Sequence, residues 1–333
     1  MNFVLFACCI PVKGARRSII CDLQRQAYRF IPNGLYEILT TLSDKTIVEI
    51  KDLYLRRCDK EIDEYFQFLE NNEFGFWSNE PGLFPRLDMT FRTPERVTNA
   101  LIDVGAESRY DFGKIFQELD DLGCKAVEVR FFRRTSGEEL RRILEITKFG
   151  RLRSVEILIR YSEDLDRPVL ECLCVEYPRI SRISVYSAPE HEIREVGQTG
   201  AFIYFVSEEI NSPSCCGQVS PTYFVLNLPF FSEAKNFNSC LNGKISIDAR
   251  GEIKNCPSLP FSYGNISDTS LHSALTRQGF PALWAINKDQ VDVCKDCEFR
   301  YICPDCRAYI ENPDDIYSKP SKCSYDPYTA QWR

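Results

Sequence analysis

The sequence predicts an α/β protein in three parts, and three observations carry that reading. Residues 1–78 place short β-type runs ahead of amphipathic helices. Residues 95–230 alternate strand-like and helix-like segments, the pattern of a parallel sheet. Residues 235–333 hold seven of the chain's sixteen cysteines, several in close pairs.

In the first part, Phe3 to Ile10, Ser18 to Leu23 and Gln26 to Ile31 read as three strands of a meander, with turns at Lys13-Gly14 and Gln24-Arg25. Pro32-Asn33-Gly34 opens a helix that runs to Leu42. Asp59 to Asn71 carries Ile62, Tyr65, Phe66 and Leu69 at helical spacing. Strands followed by helices in so short a unit resemble a winged helix. A proline-rich linker, Asn79 to Pro94, follows.

In the second part the expected strands are Val97 to Val104, Ala126 to Phe132, Val155 to Tyr161, Ile180 to Tyr186 and Phe202 to Val206, with Phe224 to Leu228 as a sixth. Phe112, Ile115, Phe116, Leu119 and Leu122 mark one helix face. A second helix is expected to start at Thr135-Ser136, where Thr135 and Glu138 have capping-box spacing. No glycine-rich phosphate loop follows the first strand. Arg130, Glu156 and Arg160 fall on strands, where charges are most often solvated. Cys124, Cys172 and Cys174 sit among apolar neighbours and read as packing residues.

Composition narrows the function. No apolar run approaches the ~20 residues of a membrane span, and Phe3 to Ile10 lacks the basic segment of a signal peptide, so a cytoplasmic chain without a membrane partner is expected. A net charge of −7 argues against a nucleic-acid partner. With only His191 and His272, which read as surface residues, neither a catalytic triad nor a three-histidine zinc site is expected.

The C-terminal cysteines are the strongest signal. Cys240, ten residues, Gly251, four residues and Cys256 imply a hairpin with its turn near Ala249-Arg250-Gly251 and a thiol near each open end. Thirty-seven residues later come Cys294-Lys-Asp-Cys297, then Cys303-Pro-Asp-Cys306, and finally Cys323. Paired cysteines at this spacing aim thiolates at one metal centre. Iron–sulfur and structural zinc both suit them, although seven thiolates without histidine divide poorly into closed zinc sites. Trp284, Trp332 and Tyr325 to Tyr328 read as packing over the metal sites. Lys288, Asp289, Arg300 and Arg307 read as solvated or structurally paired charges that could otherwise tune a cluster.

These seven cysteines and the glycine resemble a SPASM domain, the extension of many radical S-adenosylmethionine peptide maturases. Asn238-Ser239-Cys240-Leu241-Asn242, Gly264-Asn265-Ile266, Cys294-Lys295-Asp296-Cys297-Glu298-Phe299-Arg300-Tyr301, Ser318-Lys319-Pro320 and Tyr325-Asp326-Pro327-Tyr328 are similar to the maturase of "grasp-with-spasm" ribosomal-peptide systems. The resemblance is specific over about residues 215–333 and weaker elsewhere. It implies a winged-helix-like precursor-recognition domain over 1–78, a partial (β/α)6 radical-SAM-like barrel over 95–230 and a SPASM domain over 235–333. It implies two auxiliary [4Fe-4S] clusters. Cys294, Cys297, Cys303 and Cys323 would hold one; Cys240, Cys256 and Cys306 would supply three ligands to the other, with Cys216 as the expected fourth, ahead of Cys215 or an open iron. The Cys303 to Cys306 gap is two residues where SPASM domains often have three.

The resemblance also implies partners: a ribosomal precursor peptide, whose leader would add as a strand beside Gln26 to Ile31 and pack on the helix bearing Tyr65 and Phe66, and an ATP-grasp ligase. One departure is large. Radical S-adenosylmethionine enzymes carry three cysteines, spaced by three and two residues, after the first barrel strand. Here that position reads Gly105-Ala106-Glu107-Ser108-Arg109-Tyr110, and the spacing occurs nowhere in the chain. The middle part is therefore expected to be a barrel relative with no SAM and no catalytic residue. Three functions follow: a maturation factor, an enzyme using an open auxiliary iron, or a structural zinc or iron scaffold.

Overall fold

The computed structural model describes residues 1–333. The chain forms two compact units: residues 1–91, 218–239 and 285–333 make the first, residues 92–217 and 240–284 the second.

The first unit opens with β1 (Asn2–Leu5) and β2 (Cys9–Val12). The expected single strand from Phe3 to Ile10 is thus two. A turn at Phe6 to Cys9, closed by the Cys9 N–H donating to the Phe6 carbonyl at 2.8 Å, interrupts it. β3 (Ser18–Asp22) and β4 (Ala27–Ile31) complete an antiparallel sheet in the order β2-β3-β4, so the three-stranded meander stands with a later start. Pro11 lies in β2, an edge strand, where the missing N–H costs no ladder bond.

Three helices follow, α1 (Asn33–Thr41), α2 (Ile47–Leu53) and α3 (Asp59–Asn71). α2 was not expected from periodicity, yet a local signal was present: Thr46 and Glu49 form a reciprocal capping box. β5 (Gly75–Ser78) returns to pair antiparallel with β1. Gly75 is needed there, because a Cβ would sit 2.2 Å from the Val4 carbonyl oxygen. The core joins Phe3, Ile20, Leu35, Ile38, Ile62 and Phe66.

The second unit alternates β6 (Asn99–Val104), α4 (Phe112–Asp121), β7 (Ala126–Phe131), α5 (Gly137–Thr147), β8 (Ser154–Arg160), α6 (Arg167–Glu176) and β9 (Ile180–Tyr186). β10 (Glu192–Val196) and β11 (Ala201–Phe205) follow. α5 begins one residue later than expected. Ser136, not Thr135, is its N-cap and accepts from the Glu139 N–H; Thr135 instead donates to the Glu139 carboxylate at 2.7 Å.

The chain then gives α7 (Leu228–Asn236) to the first unit, and β12 (Lys244–Ile247), β13 (Ile253–Lys254) and α8 (Leu271–Thr276) to the second. It ends in the first unit with the hairpin β14 (Tyr325–Asp326) and β15 (Gln331–Trp332). Phe224 to Leu228 is not a strand: it bridges a short 3-10 turn and α7, whose N-cap Asn227 accepts from the Phe230 N–H.

The sheet of the second unit runs β10-β11-β9-β8-β7-β6-β12-β13. Strands β11 through β12 pair in parallel, and β10 and β13 are antiparallel edges. The sixth parallel strand is therefore β12, from the cysteine-rich hairpin. That hairpin turns where expected, with Gly251 at φ +87°.

Alternation divides this sheet into two faces. Ala100, Ile102, Val127, Val129, Ile157 and Ile183 join the helices in one core. The opposite positions carry Asp103, Glu128, Arg130, Glu156, Arg182 and Lys244. Register brings Glu128, Glu156 and Arg182 into one row and Asp103 and Arg130 into the next. Of the three cysteines read as packing residues, Cys124 and Cys174 are fully buried, whereas Cys172 is exposed on α6.

Candidate metal centre

Four thiols gather in the first unit. Cys294 and Cys297 flank a single 3-10 turn, with the Cys297 N–H donating to the Cys294 carbonyl at 3.0 Å. Cys303 follows a second turn, its N–H on the Phe299 carbonyl at 3.0 Å. Cys323 enters from the segment before β14, its N–H on the Pro320 carbonyl at 3.1 Å. Burial and then the neighbouring charges of Asp305, Cys303 and Cys323 push the Cys294 thiol up to about 12, against the pull of Lys288. Burial, Glu298, Cys303 and Cys294 likewise raise Cys297. All four thiols thus belong to one electrostatic neighbourhood.

A cation is built beneath them. Lys288 is 4% exposed and donates to the carbonyls of Cys303 at 2.9 Å and Pro304 at 3.0 Å. Its sequence context does not set it apart from the other three charges near the cysteines. Arg300 pairs with Asp289 at 2.8 Å and also donates to the Cys297 carbonyl at 3.0 Å, and Arg307 pairs with Asp305 at 2.7 Å, the latter pair fully enclosed. Phe299 lies edge-on to Tyr325, whose ring in turn is tilted against Trp332 nearby.

In the second unit three more thiols meet on the charged sheet face. Lys244 of β12 donates to Cys240 Sγ at 3.7 Å, and Arg130 of β7 donates to Cys216 Sγ at 3.7 Å. Cys240, Cys256, Cys216 and Glu128 together raise Lys244 against the cost of its burial. Burial, then Cys240 and Cys216, hold the Cys256 thiol up at about 12. Of the two adjacent candidates, Cys216 is the one that reaches Arg130, and Cys215 lies next to it on the exposed turn. Cys306 belongs to the first unit. Trp284 packs edge-on against Phe280 and donates to Asn255 at 2.7 Å, one residue from Cys256.

Asp103 and Arg130 form a bidentate pair at 2.7 and 3.0 Å with both side chains almost fully buried. Periodicity could not single them out, because a charge on a half-covered strand face looks like any solvated charge. Lys244 escaped notice for the same reason. His191 and His272 are exposed.

The loop after β6 is tied shut by its own side chains. The Gly105 N–H donates to Ser108 Oγ at 2.9 Å, and Ser108 Oγ donates to the Ala249 carbonyl at 2.6 Å. Tyr110 donates to the Asp103 carbonyl at 2.9 Å and also reaches the Asp248 carbonyl.

The donor chemistry fits an iron–sulfur site. Both sets offer thiols alone, and each has a lysine to offset thiolate charge. None of the eight expected ligands belongs to the tight group of ligand atoms within 4.8 Å of one another, which is Cys8, Cys9 and Asp22. Ligands on a single tetrahedral zinc lie about 3.8 Å apart, from a Zn–S bond of ~2.3 Å.

The expected peptide edge is β4, which has a strand partner on one side only. Its Tyr28 and Phe30 lie edge-on to Phe299, and Arg17 stacks 3.6 Å over Phe30. On α3, Phe66 is 4% exposed, belongs to the core and lines a cavity of about 490 Å³, and Tyr65 is half-buried. No helix is long and apolar enough to cross a membrane.

No protein-family model and no curated protein matches the chain. Two solved structures are similar to it in fold. One is Streptococcus suis SuiB bound to S-adenosylmethionine, 12% identical, with a TM-score of 0.30 over 92% of this chain and 96% of that one. The other is Streptococcus suis SuiB bound to precursor peptide SuiA, 12% identical, with a TM-score of 0.35 over 96% and 99%. The first holds the cofactor that the loop after β6 led us not to expect here. At these TM-scores the likeness decides neither ligand for this chain.

Proposed function

We propose that the chain is a maturation factor for a ribosomally made peptide, carrying two four-iron clusters and binding its precursor through the sheet of the first unit. The observation that supports it best is the gathering of all-thiol sets about buried or half-buried lysines. Cys294, Cys297, Cys303 and Cys323 would hold one cluster. Cys216, Cys240 and Cys256 would hold the other. Such clusters supply electron transfer or, with an iron left open, a binding point.

The chain's own residues would do the remaining work. Lys288 and Lys244 offset thiolate charge, and the Asp103–Arg130 pair fixes the guanidinium that reaches Cys216. The leader would add along β4, whose ladder groups face outward on one side, and pack on the helix bearing Tyr65 and Phe66. The bond-forming step would fall to an ATP-grasp ligase, because the sites described hold no nucleophile–base pair. Ser108 and Tyr110, which close the loop after β6, support a role without radical chemistry.

Two assays test this. Titrating the full chain with the leader of a neighbouring precursor should shift the amide signals of β4, and an unchanged spectrum would remove the recognition claim. With S-adenosylmethionine and reductant no 5′-deoxyadenosine should form; its appearance would overturn the reading of the closed loop.

A further inference from the structure

The turn leading into β2 gathers ligand atoms that neither thiol set uses. Cys8 Sγ, Cys9 Sγ and a carboxylate oxygen of Asp22 all lie within 4.8 Å of one another. Two features of the backbone put them there. Cys9 and Asp22 are opposed residues of the antiparallel β2–β3 pair, so their side chains leave the sheet on one face. Consecutive residues of a strand would point to opposite faces. Cys8, however, is the last residue of the turn that the Cys9 N–H closes on the Phe6 carbonyl, and the turn redirects its thiol toward Cys9.

The carboxylate is held in place. Asp22 Oδ1 accepts from the N–H groups of Gln24 at 3.0 Å and Arg25 at 2.9 Å, and Arg25 Nη1 approaches Oδ2 at 3.5 Å. The Leu23 N–H donates to the Cys8 carbonyl at 3.0 Å and fixes the turn against β3. Gln24 Oε1 lies 3.7 Å from Cys8 Sγ and offers an oxygen as the fourth ligand.

We propose that Cys8, Cys9 and Asp22 form a site for a thiophilic divalent cation of the zinc class, completed by Gln24 or water. Two sulfur and two oxygen donors suit such an ion, whereas magnesium and calcium take oxygen alone. Ligand atoms on a tetrahedral zinc stand less than about 4 Å apart, inside the spacing found here. Two thiolates and a carboxylate carry three negative charges, of which the ion offsets two, while Arg25 is shared between Asp22 at 3.5 Å and Glu73 at 2.6 Å. Binding releases the two thiol protons to solvent. Cys9 and Asp22 are 4% and 3% exposed, and Cys9 also lines a cavity of about 490 Å³. The ion would lock the β1–β2 turn onto β3 and so hold the edge strand that carries Pro11.

The test is a titration of the reduced, full-length chain with ¹¹³Cd²⁺, its other thiol sites first loaded anaerobically with iron and sulfide. Wild type should take up one more cadmium per chain than Cys9→Ser or Cys8→Ser. Its extra ¹¹³Cd resonance should fall between those of all-sulfur and all-oxygen sites. Asp22→Asn, which keeps the Oδ1 acceptor of the turn, should weaken this binding about tenfold or more. If Cys9→Ser fails to fold, the half-buried Cys8 supplies the comparison. Equal cadmium uptake by wild type and Cys8→Ser overturns the proposal.

Discussion

Replacing Lys288 by methionine removes a buried ammonium while keeping most of the volume of its stem. Two charge-assisted hydrogen bonds, at 2.9 and 3.0 Å, are lost, and the carbonyls of Cys303 and Pro304 are left without that donor. At about 1.5–3 kcal/mol for each bond to a charged group, the loss is about 3–6 kcal/mol. Because the lysine is 4% exposed, solvent does little to replace it. Both carbonyls lie next to the thiol of Cys303, so the cost falls on the turn that aims a metal ligand. Anaerobic thermal unfolding of the loaded chain should show a lower midpoint for Lys288→Met, and iron per chain should fall. Whatever cluster remains should be harder to reduce, since a positive charge near it has gone. An unchanged midpoint together with an unchanged reduction potential would refute the assignment of Lys288 as the counter-charge.

Further outcomes follow from the same reasoning. Asp103→Leu alone strands the buried Arg130 and should cost about 3–5 kcal/mol in urea unfolding, while Asp103→Leu with Arg130→Met should cost less; a double variant as unstable as the single would contradict the pairing. Burial pushes the Asp103 carboxyl up to about 6 despite Arg130. A carboxyl raised in the folded state contributes most below its unfolded value of ~3.9 and loses that contribution as pH rises through about 6. Between these limits its share of stability therefore falls with rising pH, and Asp103→Asn should remove that part of the slope in urea midpoints. Cys294→Ala should lose one cluster's worth of iron and destabilise the C-terminal segment, and full iron content would sink its place as a ligand.

Much of this fold was legible because periodicity survives where a face is buried. Ile180–Tyr186 and Asp59–Asn71 have the expected bounds, since each carries an uninterrupted apolar pattern. The misses have local causes. Phe3 to Ile10 hid a turn because Ala7 and Cys8 are apolar in type, and the turn is closed by backbone alone. Phe224 to Leu228 has strand composition, but Asn227 and Pro229 are helix-start residues. Thr135 and Glu138 have the spacing of a cap, yet Ser136 one step on has it too and takes the role.

The cysteine spacings pointed to the thiol sets because covalent spacing along the chain constrains ligands directly. Lys288 and Arg130 could be named as candidate charges, but their burial, like Lys244 and Asp103 themselves, was not legible, because only the tertiary fold decides which charges are buried. The Cys8–Cys9–Asp22 group was invisible for a related reason: Asp22 reaches the two cysteines through strand register, not sequence distance.

On the function proposed above, the two thiol sets hold iron–sulfur clusters. Iron, acid-labile sulfide and zinc should therefore be measured on protein purified without oxygen. About eight irons and eight sulfides per chain are expected, the content of two four-iron clusters. Zinc at these sites that survives anaerobic reconstitution with iron and sulfide would contradict that function and leave a structural scaffold in its place.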